Sequence, residues 1–207
     1  RDVAPSRGLG DVYKRQAEEL LKQGRVTVNG EIVDSPAFNV EGNEKILLDG
    51  EKLPQTDNTR LWLYYKPAGL VTSHKDEKDR PTVFAQLPPS LPRVISVGRL
   101  DLNSEGLLLL TNNGELSRKL EQPSNGWVRR YKVRVYGAVK PERLKSLQKG
   151  IIADGIEYGP IKAEIETQQG ANTWLVVSLC EGKNREVRKV MKHLGLEVSR
   201  LIRLSYG

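Results

Sequence analysis

One cysteine, Cys180, stands in the 207-residue chain, so no internal disulfide framework can staple it. The two histidines, His74 and His193, lie far apart with no clustered cysteines beside them. Neither a zinc site nor the zinc-deaminase signature can be assembled from that set, and each histidine reads as a surface or helix-face residue. Metal-free chemistry is the expectation. No apolar stretch approaches the ~20 residues that a bilayer crossing needs, and residues 1–16 hold no segment of signal-peptide type. A reducing, cytoplasmic setting without membrane attachment follows as an expectation. The chain begins with Arg1 rather than Met, and reads as a fragment.

Nucleotide motifs are missing as well. Gly182-Lys183-Asn184 lacks both the upstream glycine and the hydroxyl residue of a phosphate-binding loop, and Gly8-Leu9-Gly10 lacks the third glycine and the preceding strand of a dinucleotide fingerprint. No cofactor is expected. A Gly-x-Ser-x-Gly elbow is also absent, which removes the usual frame for a serine nucleophile.

What is abundant is positive charge. Lys and Arg total 33 against 26 Asp and Glu, a formal net charge of +7, which favours a polyanionic partner. The excess is unevenly spread: residues 1–58 hold 8 basic against 11 acidic residues, and residues 59–207 hold 25 against 15. Two basic clusters stand out, Arg129, Arg130, Lys132 and Arg134, then Lys183, Arg185, Arg188, Lys189 and Lys192. A charge run alone reads as a solvated face; together, in the net-positive part, the two favour RNA.

The hydrophobic share of 38% suffices for one medium domain and a small one. Residues 16–24 read as a short helix stopped by Gly24. Arg25–Val33 and Lys45–Leu53 each read as two strand segments, around Asn29-Gly30 and Asp49-Gly50, strong hairpin signals. Arg1–Arg15 lacks a clear 3.6 period and reads as an atypical, foreign leader. Residues 54–60 form a polar linker. Beyond it, the pattern predicts strands at 61–65, 107–110, 130–136, 173–179 and 201–204, and helices at 113–120, 141–149 and 184–194. Such a mixture describes an α+β domain on an antiparallel or mixed sheet. The domains expected are a leader over 1–16, a small module over 17–58 and a larger domain over 59–207.

The chemistry is concentrated in Ser96-Val97-Gly98-Arg99-Leu100-Asp101-Leu102-Asn103-Ser104-Glu105-Gly106, which runs into four leucines. A short apolar run bounded by turn residues reads as a buried strand. Asp101 therefore sits at the mouth of that strand, two residues from Arg99. Such an acid has a fixed position and a tunable pKa, as a nucleophile or general base needs; capping a turn is the plainer role for an Asp here.

The segment resembles the catalytic signature of the pseudouridine synthases, in the branch that modifies ribosomal RNA and carries a Gly-Arg-Leu-Asp loop. Three further segments resemble the same family in the same order: Lys66-Pro67 with Gly69 and Ser73, Arg130-Tyr131-Lys132, and Glu181-Gly182-Lys183-Asn184-Arg185. The small module resembles the alpha-L RNA-binding motif that precedes many such enzymes. The likeness spans roughly residues 17–207 and is nearest to enzymes of large-subunit ribosomal RNA, with small-subunit enzymes second.

The resemblance implies a bent, mainly antiparallel sheet with a central cleft, and a C-terminal edge continuing beyond Tyr206-Gly207. It implies that Asp101 acts on the ribose of an extruded uridine, either attacking the sugar or removing a sugar proton. Tyr131 is implied to stack on the base, and Lys183 to pair with Asp101. Lys66 and its neighbours would support the floor of the site. Moving a base from nitrogen to carbon linkage on one sugar needs one acid and no external water, which suits a lone Asp. Glu105 could serve as a glycosidase-like second carboxylate only if the loop folded back.

A stacked base must be extruded to be reached. Arg99 is the expected wedge, and Arg129, Arg130, Arg185 and Arg188 the expected phosphate contacts. Ribosomal RNA is the expected partner, with the protein a monomer. The rival reading is a non-catalytic ribosome-assembly factor on the same fold.

Overall fold

Asn29-Gly30 and Asp49-Gly50 each turn the chain with both φ angles positive, 52° and 93°, then 54° and 82°, as tight two-residue hairpins require. The turns join β1 (Val26–Val28) to β2 (Glu31–Ile32) and β3 (Ile46–Leu48) to β4 (Glu51–Lys52). The four form an antiparallel sheet in the order β2-β1-β3-β4. Arg25 Nε reaches Asp49 Oδ1 at 2.8 Å. This is a computed structural model describing residues 9–40, 44–52, 58–74, 76 and 78–207. Residues 1–8 of the expected leader and 54–57 of the expected linker lie outside the described residues. The chain divides into two units, Arg1–Asp57 and Asn58–Gly207.

One expectation for the first unit is corrected. Arg1–Arg15 is expected to lack helical character, whereas α1 runs from Leu9 to Lys22. Leu9, Val12 and Tyr13 stand at i, i+3 and i+4 and run on into Ala17, Leu20 and Leu21, a helical period that the reading of Arg1–Arg15 passes over.

The second unit is built on seven strands. β5 is Leu61–Lys66, β6 Ile95–Val97, β7 Glu105–Thr111, β8 Arg129–Tyr136, β11 Ile161–Gln169, β12 Asn172–Leu179 and β13 Glu197–Tyr206. Their order is β11-β12-β8-β13-β7-β5, with β6 also pairing β7. The pairings are antiparallel except for β13 beside β7. A separate hairpin joins β9 (Ile151–Ala153) and β10 (Ile156–Tyr158). The helices are α2 (Gly114–Glu121), α3 (Pro141–Ser146, followed by a 3-10 turn) and α4 (Glu186–His193). Asn113 caps α2, accepting from the N–H groups of Glu115 and Leu116.

The expected strands and helices are present, while β6 and the stretch β9 to β11 went unread in the sequence. Two apolar clusters hold the sheet. One gathers Val133, Val135, Leu175 and Val177 with Val190 and Met191 of α4; the other gathers Leu70, Val83, Leu108 and Leu110. The four-leucine run is thus a buried strand, with Leu108 and Leu110 almost wholly enclosed. No helix among the described residues is long and apolar enough to cross a membrane.

The parallel seam depends on one glycine. Arg203 stands opposite Gly106, whose φ is 101°, and a Cβ added there would lie 2.2 Å from the Arg203 carbonyl oxygen. Gly106→Ala should therefore lower the unfolding free energy by about 3 kcal/mol or more, the range for buried backbone clashes at positive φ. Urea denaturation measures it; a loss under about 1 kcal/mol would mean that the seam relaxes freely.

Candidate active site

The turn carrying Asp101 joins β6 to β7, and almost every backbone carbonyl in it is claimed. Leu100 exchanges two hydrogen bonds with the Thr72 hydroxyl, which donates to its carbonyl at 2.9 Å and accepts from its N–H at 3.3 Å. The Asp101 carbonyl accepts from Ser104 N–H at 3.0 Å. The Leu102 carbonyl accepts from Gly69 N–H at 2.8 Å and from Lys66 Nζ at 3.2 Å. Asn103 and Ser104 offer theirs to Arg188 Nη2 at 2.9 Å and Lys66 Nζ at 2.8 Å. A loop tied at five successive carbonyls fixes the backbone from which the Asp101 side chain projects, as the placing of a reacting carboxylate requires.

Lys66 makes this possible by being entirely buried. Its ammonium spends its three donors on the carbonyls of Pro67, Leu102 and Ser104. Burial pulls its pKa from 10.5 down to about 8, against the pull of Asp101 and Glu105, which favour the charged form. The Lys66-Pro67 segment thus braces the turn that carries Asp101.

Asp101 opens into a cavity of about 590 Å³. Tyr131 of β8, Arg99, Lys183, Arg185 and Arg203 also line it. Asp101, Tyr131 and Lys183 therefore share one cavity, but the expected pair between Lys183 and Asp101 is not formed. Lys183 Nζ turns away to Glu181 Oε1 at 3.1 Å and the Glu157 carbonyl at 2.6 Å, and Glu181 raises its pKa. Arg185 Nη1 faces Asp101 Oδ2 instead, at 3.7 Å. Arg185 adopts left-handed backbone geometry, φ 52°, immediately before α4, a conformation uncommon for residues other than glycine.

Arg99, the expected wedge, is exposed at the cavity; of the four expected phosphate contacts, Arg185 is exposed there too and Arg130 is exposed outside it. The other two need correcting. Arg129 is buried: its guanidinium donates to the carbonyls of Cys180 and Glu181 and to the Tyr206 hydroxyl. Arg188 is partly buried, and braces Val198 and Asn103. Both are internal struts, since a cation removed from water must find acceptors inside the protein.

Glu105 does not serve as a second acid. Arg200 grips it in a fork at 2.7 and 2.9 Å, and that hydrogen bonding keeps its pKa below the ordinary carboxylate range. Glu186 is the opposite case. Buried, with Oε1 unpartnered, it has a pKa raised by burial. Among the described residues, no cluster of His, Cys, Asp and Glu could hold a metal ion.

A family model described as RNA pseudouridylate synthase matches residues 60–193, and one for the S4 domain matches residues 10–46. The chain belongs to the RNA pseudouridine synthase family. Relatives of this family include an uncharacterized RNA pseudouridine synthase of Rickettsia bellii, 52% identical over 96% of this chain and 86% of its own length. Ribosomal large subunit pseudouridine synthase B of Yersinia pestis is 40% identical, over 96% of this chain and 64% of its own. A crystal structure of a pseudouridylate synthase superposes with a TM-score of 0.64 at 27% identity, covering 94% of this chain and 83% of the other. The pseudouridine synthase fold and the N-terminal RNA-binding module read in the sequence are thereby established, and the chain is an RNA-modifying enzyme.

Sequence reasoning missed Thr72, Glu186 and Arg203 as members of this synthase site. Arg203 left one signal, a cation in the short run Leu201-Ile202-Arg203-Leu204, on the same strand face as Leu201.

Between about pH 8 and the ordinary lysine value, the unfolded chain keeps a proton that folded Lys66 has released, so this position's contribution to stability rises with pH. Comparing Lys66→Met with the parent by urea unfolding from about pH 7 to about pH 9.5, the parent should gain relative to the variant as pH rises. A flat or falling difference would contradict a depressed Lys66 pKa.

Proposed function

We propose that this enzyme isomerises a uridine of ribosomal RNA, in the large subunit, to pseudouridine, with Asp101 as the catalytic carboxylate. The observation that carries the assignment is the fivefold carbonyl anchoring of the Asp101 turn at a cavity shared with Tyr131. The name of the Yersinia pestis relative supports the large-subunit substrate.

In this reading, Asp101 works at the ribose of an extruded uridine, by attack on the sugar or by removal of a sugar proton. The C1′–N1 bond breaks, the base turns, and a C1′–C5 bond forms; C5 loses a proton and N1 gains one, so the product is an isomer. Tyr131 stacks on the base. Arg185 is the cation beside Asp101. Arg99 fills the stack that the base leaves, and Arg130 with Arg185 neutralises backbone phosphates. The basic excess of residues 59–207 suits that partner.

The test incubates the enzyme with unmodified large-subunit ribosomal RNA and maps pseudouridine by carbodiimide-dependent reverse-transcription stops. The parent should give a new stop and Asp101→Asn none; identical maps would remove Asp101 from the chemistry. Arg185→Ala should slow single turnover more than Lys183→Ala, and the reverse order would return the pairing role to Lys183. Arg130→Ala should reduce the salt slope of RNA binding by about one.

A further inference from the structure

Among the described residues, four acids line the Asp101 cavity. Asp101 itself faces Arg185, Glu181 is paired with Lys183, and Glu186 is buried with one oxygen on the Lys183 amide. Glu121 differs from all three. It is exposed, and no cation among the described residues pairs with it. Its Oε1 accepts from Gly98 N–H at 2.8 Å and from the Ser117 hydroxyl at 2.9 Å, which leaves Oε2 as the free acceptor of the side chain.

The position of this carboxylate is closely set. Glu121 is the last residue of α2, and the carbonyl of Leu120 before it accepts from the Tyr206 hydroxyl of β13 at 3.1 Å. Through Gly98, whose φ is 66°, it is also tied to the residue directly before Arg99. Nothing in the helix favours an acid there, because the dipole at a helix C-terminus prefers a cation. Beside a phosphate backbone an acid is unfavourable as well, unless it meets a hydrogen-bond donor on the nucleic acid.

Resting on the uridine reading above, we propose that Glu121 is a specificity-determining residue, whose Oε2 accepts a hydrogen bond from the exocyclic amino group of a base next to the target uridine. With Arg99 filling the stack that the target leaves, the neighbouring base lies against its guanidinium plane. The Gly98 tether then brings Glu121 to the edge of that base. A carboxylate can only accept. Adenine, cytosine and guanine each offer it an amino group, whereas the N3–H of uracil stands between two carbonyl oxygens that repel it.

The experiment measures single-turnover rates at subsaturating enzyme for the parent and Glu121→Gln. The transcripts carry the mapped target with the nucleotide on either side changed in turn to each of the four bases. Comparing the two enzymes on one transcript cancels any effect of the base on RNA folding. At one of the two positions the parent should prefer an amino-bearing base over uracil by about tenfold or more, the scale of a hydrogen bond to a charged group. Glutamine can keep Oε1 on Gly98 and Ser117 while presenting a donor in place of Oε2, so Glu121→Gln should lose that preference or reverse it towards uracil. Purine riboside for adenosine, zebularine for cytidine or inosine for guanosine removes the amino group alone. That change should slow the parent by a similar factor and leave Glu121→Gln unaffected.

The same preference in both enzymes overturns the proposal, as does a loss of rate equal on every transcript, which is the mark of an anchor that only steadies Gly98. No preference in the parent at either position overturns it too, since a ribose hydroxyl would be accepted alike on every transcript. Should Glu121→Gln fail to fold, Glu121→Ala carries the same comparison, with the preference lost but not reversed. A parent that modifies no transcript would overturn the functional reading and this proposal together, whereas an active parent without the preference overturns this proposal alone.

Discussion

The capture of the Asp101 turn's carbonyls is the constraint on which the site depends. A turn of this length exposes its backbone acceptors, and left to water they would let the carboxylate wander. Lys66, Thr72, Gly69 and Arg188 instead take them from three directions. The cost is a lysine taken wholly out of water, its charge supported by carbonyl dipoles and by the nearby carboxylates. The same arrangement brings the Lys66 charge within electrostatic reach of Asp101.

Cations that look alike along the chain divide into two populations by burial. Arg129, Arg188 and Arg203 point inward, and the acceptors they find are mostly carbonyl oxygens rather than carboxylates. Arg99, Arg130 and Arg185 keep their guanidinium groups accessible. The outward group is free to exchange counterions with a nucleic-acid backbone, which is where a salt-dependent affinity originates. The inward group instead shapes the cavity, and Arg129 and Arg203 both lie against the ring of Tyr206.

Where the sequence was legible, the structure was local. Asn29-Gly30 and Asp49-Gly50 need positive φ and carry the residues that adopt it. The four leucines between turn residues have little alternative to a buried strand. β11 is an edge strand exposed beyond Ala163; its alternation of Ile161, Ala163 and Ile165 with Lys162, Glu164 and Glu166 is a strand signal that was passed over. β9 and β10 are three residues each, and their turn at Asp154-Gly155 was passed over although both φ angles are positive. At the candidate site, the Gly-Arg-Leu-Asp loop, Tyr131 and the Lys66 that braces the loop were legible as short motifs.

By itself, the sequence determined the turns, the buried strand, the surplus of positive charge and the carboxylate at the strand's mouth, because each follows from neighbours within a few residues. Only the tertiary structure decided which cation faces that carboxylate. Lys183 and Arg185 lie two residues apart on long, flexible stems. What separates them is the left-handed backbone at Arg185 and the presence of Glu181 and the Glu157 carbonyl within reach of Lys183. Likewise, Arg203 reaches the wall of the cavity that Asp101 lines because Gly106 lets two strands distant in sequence approach more closely than a Cβ would permit.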